Sequence, residues 1–217
     1  LPQPVHESFE PRKTPVQARA TVSVESILEA TLQVLLDVGQ ARLTTTRVAE
    51  RAGVSVGTLY QYFPNKSALL KTVMERHLAE IATVVEAACA ALHGQPLAAM
   101  AEGVVREFLR AKLGNIRKSM ALYAFSYDVD RARIVKCMSD RIRAAMATML
   151  RTSVEPLGTD PAVAAAMLGD MMAGVSRRMV EAEVPKKQAD AMQRELVIAA
   201  TAYLQASSLK PTRRPCR

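Results

Sequence analysis

The residues best equipped for chemistry lie in one stretch, GVSVGTLYQYFPNK, at positions 53–66. It places three aromatics in four positions (Tyr60, Tyr62, Phe63), in a chain that has five tyrosines, four phenylalanines and no tryptophan. Read as a helix from Val56 to Phe63, the stretch sorts its residues by face. Leu59 and Phe63 fall at i and i+4 on an inward side, Gly57, Thr58, Gln61 and Tyr62 share the outward side, and Tyr60 sits at the boundary. The outward side carries small and hydrogen-bonding groups, and its chemistry is recognition rather than catalysis. Tyrosine and threonine hydroxyls donate to phosphate oxygens. Gln61 can pair bidentately with adenine, and the Thr58 methyl can meet a thymine methyl. Gly57 removes bulk, so a helix N-terminus can approach a sugar-phosphate edge. Ser55 with the free N–H groups there, and Lys66 opening the next helix, favour a phosphate. The same spacing also suits a plain capped helix pair whose tyrosines are half-buried in a bundle.

Other chemistries find less support. The three histidines (His6, His77, His93) share no ligand spacing, and the three cysteines (Cys89, Cys137, Cys216) form neither a CxxC pair nor a disulfide framework. No Gly-rich phosphate loop or nucleophile elbow is present, and Asp128 and Asp130 have no basic partner of clear role. No enzyme activity, cofactor or metal is predicted. The net charge of +8 is not itself a nucleic-acid signal, because residues 1–66 hold seven Lys/Arg against six Asp/Glu. No apolar run reaches the ~18 residues of a membrane span, and four prolines in the first twenty residues leave no apolar leader segment, so a cytoplasmic location is expected.

The elements that must position the stretch are helical throughout. Alanine, leucine, valine and methionine dominate, and no strand-like alternation persists. Residues 1–20 read as a disordered, mildly basic arm (Arg12, Lys13, Arg19). A helix from Val22 carries Val24, Ile27, Leu28, Thr31, Leu35 and Val38 on one stripe and ends at Gly39. A second runs from an N-cap at Thr44 or Thr45 to about Ala52, with Gly53 turning the chain, and Ser55 caps the third. After Pro64, Asn65 caps a long helix reaching about Leu92. Further helices are predicted over 96–114, 116–128, 129–153, 161–183 and 186–207, followed by a basic tail.

Residues 44–69, TTTRVAERAGVSVGTLYQYFPNKSAL, resemble the DNA-binding signature of the TetR family of bacterial transcriptional regulators, with Val48 at its isoleucine position. The resemblance covers about a quarter of the chain. It implies an all-α fold, an N-terminal three-helix helix-turn-helix unit joined by a long helix to a C-terminal helical bundle for ligand binding and dimerisation. The corresponding division is 1–20 arm, 21–68 DNA-binding domain, 69–208 ligand-binding and dimerisation domain, and 209–217 tail. Thr44 and Thr45 would touch backbone phosphate. Ser55, Val56, Gly57, Thr58 and Gln61 would face the groove, and Tyr60, Tyr62 and Lys66 match phosphate-contacting positions. Arg47 varies in the family, and the arm can enter a minor groove or remain solvated.

The resemblance further implies a homodimer on double-stranded operator DNA, through the helices 161–183 and 186–207, and a small-molecule effector that releases a repressor. The first of those helices has Ala164, Met167, Leu168, Met171, Met172 and Val175 on one side, the second Leu196, Val197, Ala200 and Leu204, and such stripes equally suit an internal core. Candidate effector-lining residues are Phe108, Met120, Tyr123, Ala124, Tyr127, Met146 and Met171, and the eleven methionines favour an apolar or amphipathic ligand. Basic runs at 106–118 and 131–143, each five against one acid, fit either an anionic effector or a solvated face. The alternative function is a helical ligand-binding or adaptor bundle whose helix-turn-helix does not act on DNA.

Overall fold

A computed structural model describes residues 15–123, 129–182 and 184–208, with side chains described for these except 15–22, 123 and 129–131. Nine helices are formed among the described residues: α1 (Pro15–Arg42), α2 (Thr45–Ala52), α3 (Val56–Tyr62), α4 (Lys66–Ala91), α5 (Leu97–Leu113), α6 (Ile116–Tyr123), α7 (Val129–Leu150), α8 (Pro161–Glu181) and α9 (Lys186–Ala206). The only non-helical pairing among them is a single bridge between Leu157 and Ser208. The fold is all-α, as the composition and resemblance imply. It divides into two compact units, residues 1–70 and 71–217.

The first unit is built on the α1 stripe. Ile27, Leu28, Val34 and Leu35 are buried with Val48 and Ala49 of α2, Leu59 of α3 and Phe63. Thr31 lies on the same buried face because its hydroxyl donates to the Ile27 carbonyl one turn back, at 2.7 Å, so no polar group is left unmet. Two boundaries differ from expectation. The helix begins at Pro15, so residues 15–20, read from composition as unfolded arm, are helical. Proline is tolerated in a first turn, where its missing N–H has no intrahelical acceptor anyway. At the other end Gly39 adopts φ 74°, the left-handed conformation that ends a helix, and a short helical turn continues to Arg42. Arg12, Lys13 and the 209–217 tail lie outside the described residues, as does the side chain of Arg19.

In the second unit α5 packs on α8 and α9, and α7 on α8. Val85, Met100, Val104, Met146, Met149, Leu168, Met172, Met179 and Leu204 form its centre, and alanines at 164, 165 and 200 with no exposed surface let the helices approach closely. Burying one such leucine contributes about 1.5–3 kcal/mol. The α7–α8 connection fastens two neighbours. The Glu155 carboxylate accepts from Leu97 N at 2.6 Å, supplying the cap that Pro96 lacks, and Gly158 N donates to Ser207 O at 2.7 Å.

The stripes assigned to dimerisation face mostly inward. Ala164, Leu168 and Met172 of α8 and Leu196, Ala200 and Leu204 of α9 belong to the unit's own core, with Met171, Val175 and Val197 packed against it. Of the predicted stripes Met167 remains uncovered at 46% exposed, together with Val163 and Ile198 outside them, at 52% and 60%. The two faces of an apolar helix are hard to tell apart by periodicity when alanines and methionines run all round it.

Candidate nucleic-acid interface and buried cavity

The 53–66 stretch is held by local capping. Thr44 is extended and its hydroxyl accepts from Arg47 N at 3.3 Å, which sets it, and not Thr45, as the α2 cap. Gly53 turns left-handed at φ 68°. Ser55 then caps α3, accepting from Thr58 N at 3.0 Å, while its hydroxyl and that of Thr58 are hydrogen-bonded at 2.8 Å, either one able to donate. Asn65 caps α4 through Ala68 N at 2.9 Å.

Leu59 and Phe63 point inward. Both tyrosines point out, with Tyr60 at 49% exposed and Tyr62 at 37%, so Tyr60 is the more open of the two and not a boundary residue. The Tyr60 hydroxyl lies 3.1 Å from Thr45 Oγ1, which ties α3 to the first turn of α2 and sets two hydroxyls side by side. Gly57 and Gln61 are exposed, Val56 is at the margin of exposure, and nothing but the Ser55 hydroxyl, at 3.7 Å, would meet a side chain at Gly57. Thr46, passed over in the sequence, is exposed beside Thr44 and Thr45.

The cations here are positioned rather than free. Lys66 Nζ donates to the Gln40 carbonyl at 3.2 Å, just past the Gly39 turn. Arg47 Nη1 donates to Arg42 O at 3.1 Å, and Arg51 ties α2 to α1 through Asp37 at 2.9 Å and Gln33 at 3.3 Å. No acid occurs between positions 51 and 74, so the exposed side of α3 presents hydroxyls, an amide and backbone with no carboxylate to repel a polyanion.

The second unit holds a partly open cavity of about 320 Å³, lined by residues of α4 to α8. Its surface is largely apolar (Met74, Leu78, Ile81, Leu122, Met138, Ile142 and Met172 among others), interrupted by His77, Lys112, Ser139, Arg143 and Asp170. Of the residues chosen from sequence, Phe108 lines it. Met120, Met146 and Met171 do not: Met146 is fully buried in the core, and Met171 packs against that core from its partly exposed side. The Tyr123 side chain, Ala124 and Tyr127 lie outside the described residues. The signal that the sequence did offer was a histidine and a lysine on otherwise apolar stripes, at Met74–His77–Leu78–Ile81 and Phe108–Lys112.

His77 is 7% exposed and Lys112 is 6%. Ser119 donates its one hydroxyl proton to Lys112 O at 2.7 Å, so the 3.2 Å contact between Ser119 and His77 Nε2 is donated by the ring. Burial, then the charge of Lys118, lowers the His77 pKa to about 4 against the opposing pull of Glu80, with Lys112 adding to the lowering. The imidazole is therefore neutral at neutral pH. Lys112 Nζ lies 5.4 Å from the Phe108 ring centre. Arg143 binds Asp170 at 2.6 Å and stands 3.6 Å from Asp140. Most described cations of the two basic runs are likewise paired: Arg106 with Glu102, Arg110 with Glu107, Lys118 with Glu80, Lys136 with Asp140 and Arg141 with Glu86. Burial, and secondarily the Glu86 carboxylate, pushes the Cys89 thiol up to about 12, which keeps it a protonated core residue. Among the described residues no group of three His, Cys, Asp or Glu could hold a metal, and no helix is long and apolar enough to cross a membrane.

A capped helix-turn-helix with an acid-free face, in a chain whose second unit is a cavity-bearing helical bundle, defines a class: the DNA-binding regulators with a separate helical effector domain. Comparison with known proteins narrows the class. Residues 27–73 match the model for bacterial regulatory proteins of the tetR family, and residues 96–204 match that of the tetracyclin repressor-like C-terminal domain. The chain belongs to the TetR family of transcriptional regulators. Relatives include the tetracycline repressor protein class C of Escherichia coli, 46% identical over 54 residues, which are 25% of each chain. The transcriptional repressor KstR of Mycolicibacterium smegmatis is 34% identical over 94 residues, 43% of this chain and 41% of that one. This chain thus covers a quarter to about two fifths of those relatives' lengths. Among solved structures, a putative TetR-family regulator from Mesorhizobium loti superimposes with a TM-score of 0.72 at 16% identity, over 88% of this chain and 99% of the other, which is a likeness of fold.

Proposed function

We propose that the chain is a ligand-responsive repressor that binds a palindromic operator as a homodimer and is released when a small apolar or amphipathic effector enters the second unit. The observation that carries the reading is the outward side of α3: exposed Gly57, Tyr60, Gln61 and Tyr62, fixed by the Ser55 cap and the Tyr60–Thr45 contact, without a carboxylate. In this reading Thr44, Thr45, Tyr60, Tyr62 and Lys66 hold phosphates, while Ser55, Val56, Gly57, Thr58 and Gln61 face the groove. An adaptor bundle with an idle helix-turn-helix would have no need to keep this face free of acids, and the family match speaks against it.

Two further features support the dimer and the effector. Val163, Met167 and Ile198 leave an uncovered apolar surface on α8 and α9, the helices assigned to the interface. The helix α4 starts at Lys66 and its Met74, His77, Leu78 and Ile81 line the cavity, so an occupant presses on the helix that follows directly from the recognition stretch. Selection of bound sequences from random DNA tests the reading. An inverted repeat with half-site centres about 34–36 Å apart is expected. Recovery of no enriched motif would reject it in favour of the adaptor.

A further inference from the structure

Two faces of α8 serve different ends, and they meet at Asp170. The cavity takes Gly169, Asp170, Met172 and Ala173 from this helix. Val163 and Met167 stand on its uncovered stripe. Successive residues of a helix are turned by about 100°, so Asp170, two turns on from Val163, lies within about 20° of it. Ala173 is turned about 80° from Val163 and Gly169 about 120°, both on the side of Asp170. The α8 part of the lining thus runs from buried Met172 through Gly169 and exposed Ala173 to Asp170, whose side chain is 64% exposed and already on the stripe. This follows from the register of α8 and holds whatever else borders the cavity.

The stripe is part of a wider face. The chain turns back between Glu181 and Lys186, α9 packs on α8, and Ser207 ends beside Gly158 just before α8 begins. Counted back from that turn, exposed Ile198 falls level with Gly169 and Asp170. Each of the two helices has 21 residues, so side by side they present a face about 30 Å long and 20 Å wide, about 600 Å². That approaches the ~800 Å² that each partner buries in a stable pair, and a two-fold axis lets one such face meet itself. Gly174 lies on the same stripe, with nothing within 4 Å of where a Cβ would stand, and leaves the backbone open to close approach. A copy seated on Val163, Met167 and Ile198 also covers Asp170 and comes against Ala173. The Asp170 carboxylate is held by Arg143 at 2.6 Å, so covering it does not strand a lone charge.

We propose that the cavity is a site shared between two copies of the chain, its rim at Asp170 and Ala173 covered by the partner, so that filling the cavity and pairing the subunits are linked. The inference rests on the reading of the chain as a homodimer through α8 and α9. Linkage is reciprocal: a ligand that shifts the pairing equilibrium by some factor is bound more or less tightly by the pair by that same factor.

The test needs no ligand and uses the full chain. Cys137→Ser and Cys216→Ser leave Cys89, which is buried, as the background thiol. Ala173→Cys then reports on the rim, and Ala87→Cys, exposed on α4 and outside the cavity lining, is the reference. Maleimide labelling is followed at protein concentrations on either side of the dimer dissociation constant found by sedimentation. Met167→Glu puts a carboxylate into the apolar face and should dissociate the pair. Well above the dissociation constant, the Ala173→Cys thiol should label about tenfold slower or more than in the chain that also carries Met167→Glu, while the Ala87→Cys thiol labels alike in both. Where Met167→Glu fails to fold by circular dichroism, Ile198→Glu carries the same expectation. Equal labelling at 173 in a dimer that these variants dissociate, or equal slowing at 173 and 87, overturns the shared site and leaves the dimer reading standing. A chain that is monomeric at every concentration, or a dimer that neither variant dissociates, overturns the dimer through α8 and α9 and the shared site with it.

Discussion

The two units put their polar side chains to opposite uses. In the first, hydroxyls and cations bond across short stretches of chain and stay at the surface: Ser55 with Thr58, Tyr60 with Thr45, Arg51 with Asp37. In the second, exposed short-range pairs such as Arg106 with Glu102 are joined by polar groups that are drawn inside and matched over long separations, as His77 is with Ser119, 42 residues on. A surface built from short-range caps is a stiff template, suited to a partner that brings its own dense array of charges. Buried groups assembled from four or five helices make a selective container whose contents can alter the packing around it. The difference teaches that recognition of a polyanion and recognition of a small molecule call for different kinds of order.

The largest effect expected is on the independence of the two. Leu59 has no exposed surface and is the sole fully buried residue of α3. Leu59→Ala should destabilise the first unit by about 2–5 kcal/mol. Hydrogen exchange would show amides of α2 and α3 losing protection while those of α5 and α8 keep theirs. Equal loss in both would mean that the chain unfolds as one body, and the contrast drawn above would fail.

The second unit offers the complementary prediction. Because the folded-state pKa of His77 is lowered from 6.5 to about 4, the unfolded chain gains a proton first as pH falls. Stability from this group is present above pH 6.5 and is lost between 6.5 and about 4, by on the order of 3 kcal/mol. His77→Gln retains an N–H donor toward Ser119 but cannot titrate. Denaturant melts across this range should show the wild type losing more stability than the variant by that amount. Parallel curves would mean that the ring is solvated.

A smaller effect separates base from backbone in the first unit. Gln61→Ala should relax preference at one position of each half-site, at a cost of roughly 1–3 kcal/mol for the preferred base. An unchanged motif in a selection experiment would place Gln61 on phosphate or solvent.

Legibility followed the same divide. The caps at Ser55 and Asn65, an α2 cap at Thr44 or Thr45, the turn at Gly53 and the inward Leu59 could all be read from the sequence, because each is decided by residues within a few positions. The order of exposure of Tyr60 and Tyr62 could not, since it depends on where α2 lies. Among the described residues the cavity was legible only at Phe108. Met146 and Met171 share the composition expected of a pocket, yet their helix faces turn to the core, and only the placement of five helices decides which methionine meets empty space. Lys112 and His77 look in the sequence like interruptions of an apolar stripe, and nothing local distinguishes a buried cation from a solvated one.

The smallest expected effect concerns Lys66, where the two uses of a polar group meet. Its ammonium, half-buried, already donates to the Gln40 carbonyl, which closes the chain just beyond the Gly39 turn. An ammonium has three protons, so the same group can keep that bond and add a phosphate oxygen. Lys66→Met separates the roles. Loss of the internal bond should lower stability by about 0.5–1.5 kcal/mol, because the Gln40 carbonyl then turns to water. Loss of a phosphate contact should weaken all DNA sequences alike and reduce the slope of log affinity against log salt by about one. A variant that loses stability with an unchanged salt slope would show Lys66 to be a tie between α1 and α4 alone. Its charge would then belong with Arg51 among the struts of the first unit, and the phosphate anchors would be reduced to hydroxyls.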